Sequence, residues 1–296
     1  MGKSATVTIL GSGAAGGVPM VSVGWGRCNP DQPKNRRKRP SIMVSYDVDT
    51  PDQSPAHILI DTSPDLREQL LSTKVQALKS VLYTHAHADH SHGIDDLREI
   101  NRAMGTGLAV YGADKHLQDL IERFAYVFAD LNANAKSIYK PVLEPHALHI
   151  GSESAAAKVA MFQPYENSAE VVAFHQDHGF SMTVGYRFGK FAYSTDVVNL
   201  SQESIDALKG ISVWVVGCLL DVPHQTHAHI DLVRQWADII QPDHVILTHM
   251  SPRLDYDTLR ETLPAYIQPA YDGMTFEVSD TGTFKQRADW YLATIS

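Results

Sequence analysis

Four metal-ligand side chains crowd into six positions: His85, His87, Asp89 and His90, in the order His-Ala-His-Ala-Asp-His. They follow directly on the strand-like run at 81–84. Burying so many ionisable groups together is costly unless a cation neutralises them, so this segment demands a fold that gathers strand ends around metal. Imidazole and carboxylate suit zinc, manganese or iron, and the absence of cysteine from the segment argues against a thiolate structural zinc site. The chain holds 15 histidines in 296 residues, roughly twice the usual share. Further candidates lie downstream: His175 or His178, Asp196 after Tyr193-Ser194-Thr195, and His249 after the run at 245–248. Each stands just beyond a strand-like run, where open sheets present ligands. The set exceeds what one tetrahedral ion can use, which predicts two divalent transition metals.

Apolar runs predict strands at 6–10, 41–46, 57–60, 81–84, 109–111, 159–162, 170–174, 181–188, 190–194, 213–217, 244–248 and 274–278. Helices are predicted at 64–71, with Ser63 as N-cap, and at 94–104, 114–130, 202–208 and 230–240. An acidic turn spans 47–55, and Gly189 marks a tight hairpin. No repeat or long linker divides the sequence. The expected architecture is one α/β domain over 1–296 with two mixed sheets, helices outside, and an irregular, partly helical insertion around 113–168. Gly11-Ser12-Gly13-Ala14-Ala15-Gly16 has the spacing of a dinucleotide-binding loop, but Gly17, Pro19 and Gly24 follow where a continuous helix should start. The loop reads instead as a tight backbone turn near a site.

Charge excludes a general polyanion binder. The net charge is −9, and Lys34, Arg36, Arg37, Lys38 and Arg39 are all positive, leaving −14 on the rest. Non-specific nucleic-acid affinity comes from phosphate neutralisation, so a large nucleic acid is not an expected partner. The basic run reads as a solvated loop. The longest strongly apolar stretch, 211–220, is about half the length of a membrane-spanning helix, so no membrane association is expected. A secretory signal is not expected either. Residues 1–6 fit a myristoylation pattern, but Thr6 already lies in a strand-like run. Two cysteines, Cys28 and Cys218, favour a reducing, cytoplasmic setting.

The pattern H-x-H-x-D-H after a strand, with a later His, a later Asp and a final His, resembles the metallo-β-lactamase superfamily of two-metal hydrolases. Gly11-Ser12-Gly13 with Gly16-Gly17-Val18-Pro19, the run 36–41, the segment 61–65, Leu247-Thr248-His249 and Ala270-Tyr271-Asp272-Gly273-Met274 are similar to its phosphoribosyl 1,2-cyclic phosphate phosphodiesterase branch. The tRNA 3′-processing endonucleases and the pyrroloquinoline-quinone accessory protein are more distantly similar. The resemblance spans nearly the whole chain, with 113–168 least covered, and only Cys28 stands where the branch carries cysteines for a structural zinc. It implies an αββα sandwich with one metal on His85, His87 and a middle histidine. The second metal would take Asp89, His90 and His249, with Asp196 bridging. For the middle ligand, the glycine turn after His178 favours that residue, with His175 as the alternative.

Hydrolysis through a metal-bridging hydroxide leaves an alkoxide that needs a proton. His229, in His229-Ile230-Asp231-Leu232, matches the family's His-x-Asp segment and is the candidate donor, with Asp89 as a further catalytic candidate. His224, His227, Arg39 and Arg98 are candidates for binding the substrate phosphate. The expected substrate is a small nucleotide or cyclic sugar-phosphate ester, and the metals are zinc or manganese, with iron compatible. Two other expectations compete, an endoribonuclease and a non-catalytic metal-binding accessory protein of cofactor biosynthesis. The acidic chain counts against the first, and the complete ligand set with His229 counts against the second. A homodimer is compatible with the sequence.

Overall fold

Short runs of β-branched and aromatic residues with little polar alternation can be satisfied only by strands covered on both faces. The strand at 56–60 shows how. Ile58 and Ile60 enter the core between two sheets, while Leu59 points into a second core beneath helices. The structure, a computed structural model, describes residues 4–47, 55–132, 134–151 and 159–287. Residues 1–3 of the lipidation pattern, most of the acidic turn, and 133 and 152–158 of the expected insertion lie outside the described residues.

The chain first builds six strands: β1 (Ala5–Gly11), β2 (Ser41–Tyr46), β3 (Ala56–Ile60), β4 (Ser80–Leu82), β5 (Leu108–Ala113) and β6 (Leu143–Leu148). A second sheet follows with β7 (Val159–Phe162), β8 (Val171–Asp177), β9 (Met182–Phe188), β10 (Phe191–Ser194), β11 (Val213–Gly217), β12 (His244–Thr248) and β13 (Ile267–Pro269). The chain then returns to the first sheet with β14 (Thr275–Val278) and β15 (Phe284–Gln286). The orders are β15-β14-β1-β2-β3-β4-β5-β6 and β13-β12-β11-β10-β9-β8-β7. Both sheets are mixed: β3 to β6 and β10 to β13 run parallel, and the remaining pairs are antiparallel. The sheets face one another across the larger core, with helices on the outside. This is the expected αββα sandwich. Among the described residues, no helix is long and apolar enough to cross a membrane.

Several local expectations need correction. The first helix is Leu66–Thr73, with Asp65 in the cap position and not Ser63. Ser63 instead closes a turn ahead of it, its hydroxyl accepting from Asp65 N and its carbonyl from Leu66 N. The expected helix at 94–104 is a 3-10 turn, Ile94–Asp96, followed by an α-helix, Leu97–Met104. A separate four-residue helix, Ala88–Ser91, carries Asp89 and His90. Strand β6 carried little sequence signal because its four central residues are exposed, leaving only Leu143 and Leu148 buried.

The basic run is not a solvated loop. Arg37 is 2% exposed, and its guanidinium donates to Ser251 O at 3.4 Å and to Asn35 Oδ1 at 3.2 Å. Arg36 lies over the Trp25 ring and Lys34 over Tyr271. Arg39 forks onto the Asp65 carboxylate at 2.6 and 2.9 Å. The loop is anchored to the body of the molecule by Asp272, which accepts from Ser12 N and Ser12 Oγ at 2.9 Å and from Lys38 N at 2.7 Å.

The glycine-rich loop makes that wedge fit. A Cβ on Gly11 would stand 1.9 Å from Arg39 O and 2.8 Å from Gln69 Nε2. The carbonyl belongs to fixed backbone and cannot swing away. Gly11→Ala is therefore expected to lower stability by about 2–3 kcal/mol, in the range of overpacking, read as a lower urea midpoint at unchanged m-value. A shift equivalent to less than about 0.5 kcal/mol, typical of surface changes, would contradict this account of the loop.

Candidate metal centre

Strand ends deliver the candidate ligands to the seam between the sheets. His85, His87, Asp89 and His90 follow β4, Asp196 follows β10, and His249 follows β12 directly. Asp61, Asp196 and His249 have φ of 63°, 52° and 54°. This left-handed turn at a strand end costs an ordinary residue of order 1–3 kcal/mol, and such strain concentrates at functional sites.

Two groups of side chains result: His85, His87, His178 and Asp196, and Asp89, His90, Asp196 and His249. In each group, one donor atom per residue lies within 4.8 Å of the others. Asp196 belongs to both. Its Oδ2 lies 3.6 Å from His85 Nε2 and 3.8 Å from His178 Nε2, while Oδ1 lies 3.3 Å from His90 Nε2 and 3.1 Å from His249 Nε2. Asp89 Oδ2 is 3.2 Å from His90 Nε2 and 3.3 Å from His249 Nε2.

These residues fit divalent ions. The Nε2 atoms of His85 and His90 are buried without a hydrogen-bond partner, although carboxylate oxygens stand close by. They converge without the alignment of hydrogen bonds. Charge points the same way. Burial alone would lower the His90 pKa, yet Asp89, Asp196 and Asp61 raise it well above the usual histidine range. Burial opposes ionisation of Asp89 and Asp196, but the surrounding histidines hold both well below the usual carboxylate range. The pocket is a buried anion cluster suited to cations.

Asp61 went unrecognised as a site residue in the sequence. Its Oδ1 accepts from Thr84 N at 2.8 Å, and its Oδ2 accepts from Thr84 Oγ1 and from His90 Nδ1, both at 2.7 Å. Thr84 Oγ1, its proton given to Asp61, lies 3.0 Å from His85 Nδ1 and accepts there. With Nδ1 engaged from behind in this way, Nε2 is the nitrogen that a histidine of each group leaves to face a cation. Burial pushes the Asp61 carboxyl up, while His90 and Thr84 pull against it. The available signal was its position, one residue past a strand-like run, which it shares with His249.

Of the two middle histidines, His178 joins the first group. Its Nδ1 donates to Thr226 O at 2.7 Å, freeing Nε2 for the cluster. His175 lines a cavity beside the group, and its Nδ1 is buried without a partner. His227 packs on both groups, its ring 4.7 Å from that of His178 and stacked at 5.0 Å on His249. His224 reaches His227 at 5.4 Å. His229 is the cap residue of the helix Ile230–Ile240, and among the described residues its ring contacts none of the cluster. Arg39 is engaged by Asp65. Arg98 lines a separate cavity of about 680 Å³ with Arg67, Leu70 and Lys74, which contains none of the candidate ligands.

Comparison with known proteins gives the arrangement its context. The β-lactamase superfamily domain matches residues 56–250. The crystal structure of a diphosphatase from the PhnP family is 32% identical, with a TM-score of 0.80, over 94% of this chain and 99% of that one. Zinc-bound PqqB from Methylobacterium extorquens, at 20% identity and a TM-score of 0.63, shares the fold over 91% of this chain and 99% of that one. An octanoyltransferase of Porphyromonas gingivalis is 30% identical over 93% of this chain. The chain spans about half of that protein (52%), and 36% of the coenzyme PQQ synthesis protein B of Rhodopseudomonas palustris, to which it is 32% identical over 38% of its own length.

The Asp61 bonds predict how the centre fails. Asp61→Asn turns an amide donor towards His90 Nδ1 and moves that ring's proton to Nε2. Zinc affinity at the group holding His90 is expected to fall roughly 10–100-fold, measured by competition with a chromogenic chelator. Unchanged affinity would show that His90 takes its orientation elsewhere.

Proposed function

The chain belongs to the β-lactamase superfamily and, within it, to the PhnP family, and from this we propose a dinuclear metal-dependent phosphodiesterase acting on a small nucleotide or cyclic sugar-phosphate ester. The shared carboxylate carries the reading. Asp196 offers one oxygen to each group of nitrogens, the arrangement needed to hold two neighbouring cations. His85, His87 and His178 would complete the first site, and Asp89, His90 and His249 the second. Zinc or manganese suits this mixed donor set, and iron is compatible. When bound, the ions supply Lewis acidity that activates water at neutral pH and withdraws charge from a phosphoryl oxygen.

The chain's own groups bind, orient and protonate. Burial, eased by Asp196 and reinforced by neighbouring histidines, pushes the His227 imidazole down to about 3. The ring is therefore neutral, and it meets a phosphoryl oxygen as a hydrogen-bond donor without a charge. Ala228 is fully buried between His227 and His229, and the backbone at His229 is extended at φ −121° and ψ 170°. His229 stands two residues from His227, at the start of the helix Ile230–Ile240. In this reading His229 gives its proton to the leaving alkoxide oxygen, and Asp89 remains an acceptor throughout. Acyl transfer has less support, because both cysteines are buried free thiols whose pKa burial raises.

Metal-loaded protein is expected to hydrolyse members of a panel of phosphodiesters and cyclic nucleotides, and inertness towards all of them would end the proposal. Asp196→Ala is expected to lose both metals and hydrolysis together, as elemental analysis and rate measurement would show; two metals retained in that variant would remove the bridging assignment. His229→Ala is expected to keep both metals and lose roughly 10²–10⁴-fold in rate on an alkyl ester. The loss should be much smaller for a 4-nitrophenyl ester, whose leaving group departs without a proton. Equal losses on the two esters would take the proton-donor role away from His229.

A further inference from the structure

A cavity of about 420 Å³ opens against His85 and His87, on the side of the first ligand group. This is a size typical of small-molecule sites. One wall is the helix Asp114–Arg123, whose Lys115, Asp119 and Arg123 recur every four residues and share a face. The other wall is the turn that leads from His178 into β9 and carries Phe180 and Met182. His116 and His175 also line the cavity.

Two features of these walls are unexplained by folding alone. Phe180 is 88% exposed and Met182 is 43% exposed, beside a site rich in charge. The turn holds Phe180 outward: His178 N donates to Ser181 O at 2.9 Å, and Phe180 N donates to His178 O at 3.1 Å. Gly179, at φ +81°, lies so close to the 225–226 backbone that a Cβ would stand 2.8 Å from Gln225 O. These backbone contacts fix the turn that presents Phe180 at the edge of the cavity. On the opposite wall, the Arg123 guanidinium donates to the carbonyl of Ala86, the residue between His85 and His87. Among the described residues it has no carboxylate partner. Lys115 is 3.6 Å from Asp119, which partly neutralises it, whereas Arg123 reaches the backbone between His85 and His87.

We propose that this cavity is the base subsite of a nucleotide substrate. The planar base stacks on Phe180 against Met182, and Arg123 faces the phosphate beside the ligand group. An exposed aromatic face paired with a positive charge complements a ligand that is flat at one end and anionic at the other. A cyclic sugar phosphate without a base would leave Phe180 uncovered. The inference rests on the phosphodiesterase reading and narrows its substrate to nucleotides.

Two esters with the same leaving group test it: thymidine 5′-(4-nitrophenyl phosphate) and ethyl 4-nitrophenyl phosphate, assayed with the metal-loaded protein. Wild type is expected to prefer the thymidine ester by at least about tenfold in kcat/KM, mainly through KM. Phe180→Ala should reduce that preference about tenfold, in keeping with the loss of one stacking contact, and Phe180→Trp should restore it. Equal kcat/KM for the two esters in wild type, or a preference that Phe180→Ala leaves intact, overturns the subsite while the phosphodiesterase reading stands. If neither ester is hydrolysed, the panel of phosphodiesters decides that reading, and calorimetric titration with thymidine 5′-monophosphate decides the subsite. Tighter binding to wild type than to Phe180→Ala supports it, and equal or absent binding overturns it.

Discussion

Everything around the seam between the sheets answers to one electrostatic constraint: the Asp196 carboxylate is fully enclosed and faces histidine nitrogens on two sides. An enclosed anion is tolerated only where positive charge can meet it. The structure meets that demand with convergent imidazoles, aligned from behind by groups that fix their tautomers: Asp61 for His90, Thr84 for His85, and Thr226 O for His178. Left-handed backbone at Asp61, Asp196 and His249 is the conformational cost of bringing strand ends to one point.

The sequence revealed what depends on spacing and hid what depends on distant packing. The candidate cluster at 85–90 stood out because its four metal-ligand side chains are neighbours in the chain, and Asp196 and His249 because each follows a strong strand. The alternating and continuous apolar runs likewise announced most strands of both sheets. Asp61 was not read as a functional residue, because a lone aspartate after a strand resembles any turn until His90 and Thr84 are seen around it. Arg37 was misread for a similar reason. A basic run looks solvated in one dimension, and only the approach of the 250–257 segment makes one of its members a buried strut. Strand β6 escaped notice because an edge strand with exposed central residues carries no apolar period.

The 12–39 region and the 249–257 segment form a brace behind the second ligand group. Met250 N donates to Ser12 O, Ala14 N to Met250 O, and Arg27 N to Pro252 O. Asn29 N and Asn35 Nδ2 both donate to Asp255. His249 thus stands on a loop whose backbone is tied on several sides. A candidate ligand held this way would need little reorganisation to receive a cation, which is what precise coordination requires of its surroundings.

Strand β14 pairs with β1 across most of the chain's length, so the first sheet closes only when its last strands arrive. The ligands divide in the same way, with 85–90 early and 249 late. A chain that ends before residue 249 can complete the first candidate group but neither the second group nor the β1 side of the first sheet, and long-range pairings of this kind slow the search for the folded state. During synthesis, the unpaired edge of β1 and the inner face of the first sheet stay uncovered until the C-terminal third has been made. Fragments ending before residue 249 would expose apolar strand surface and lack a complete second ligand set, which makes truncation an aggregation hazard as well as a loss of the centre.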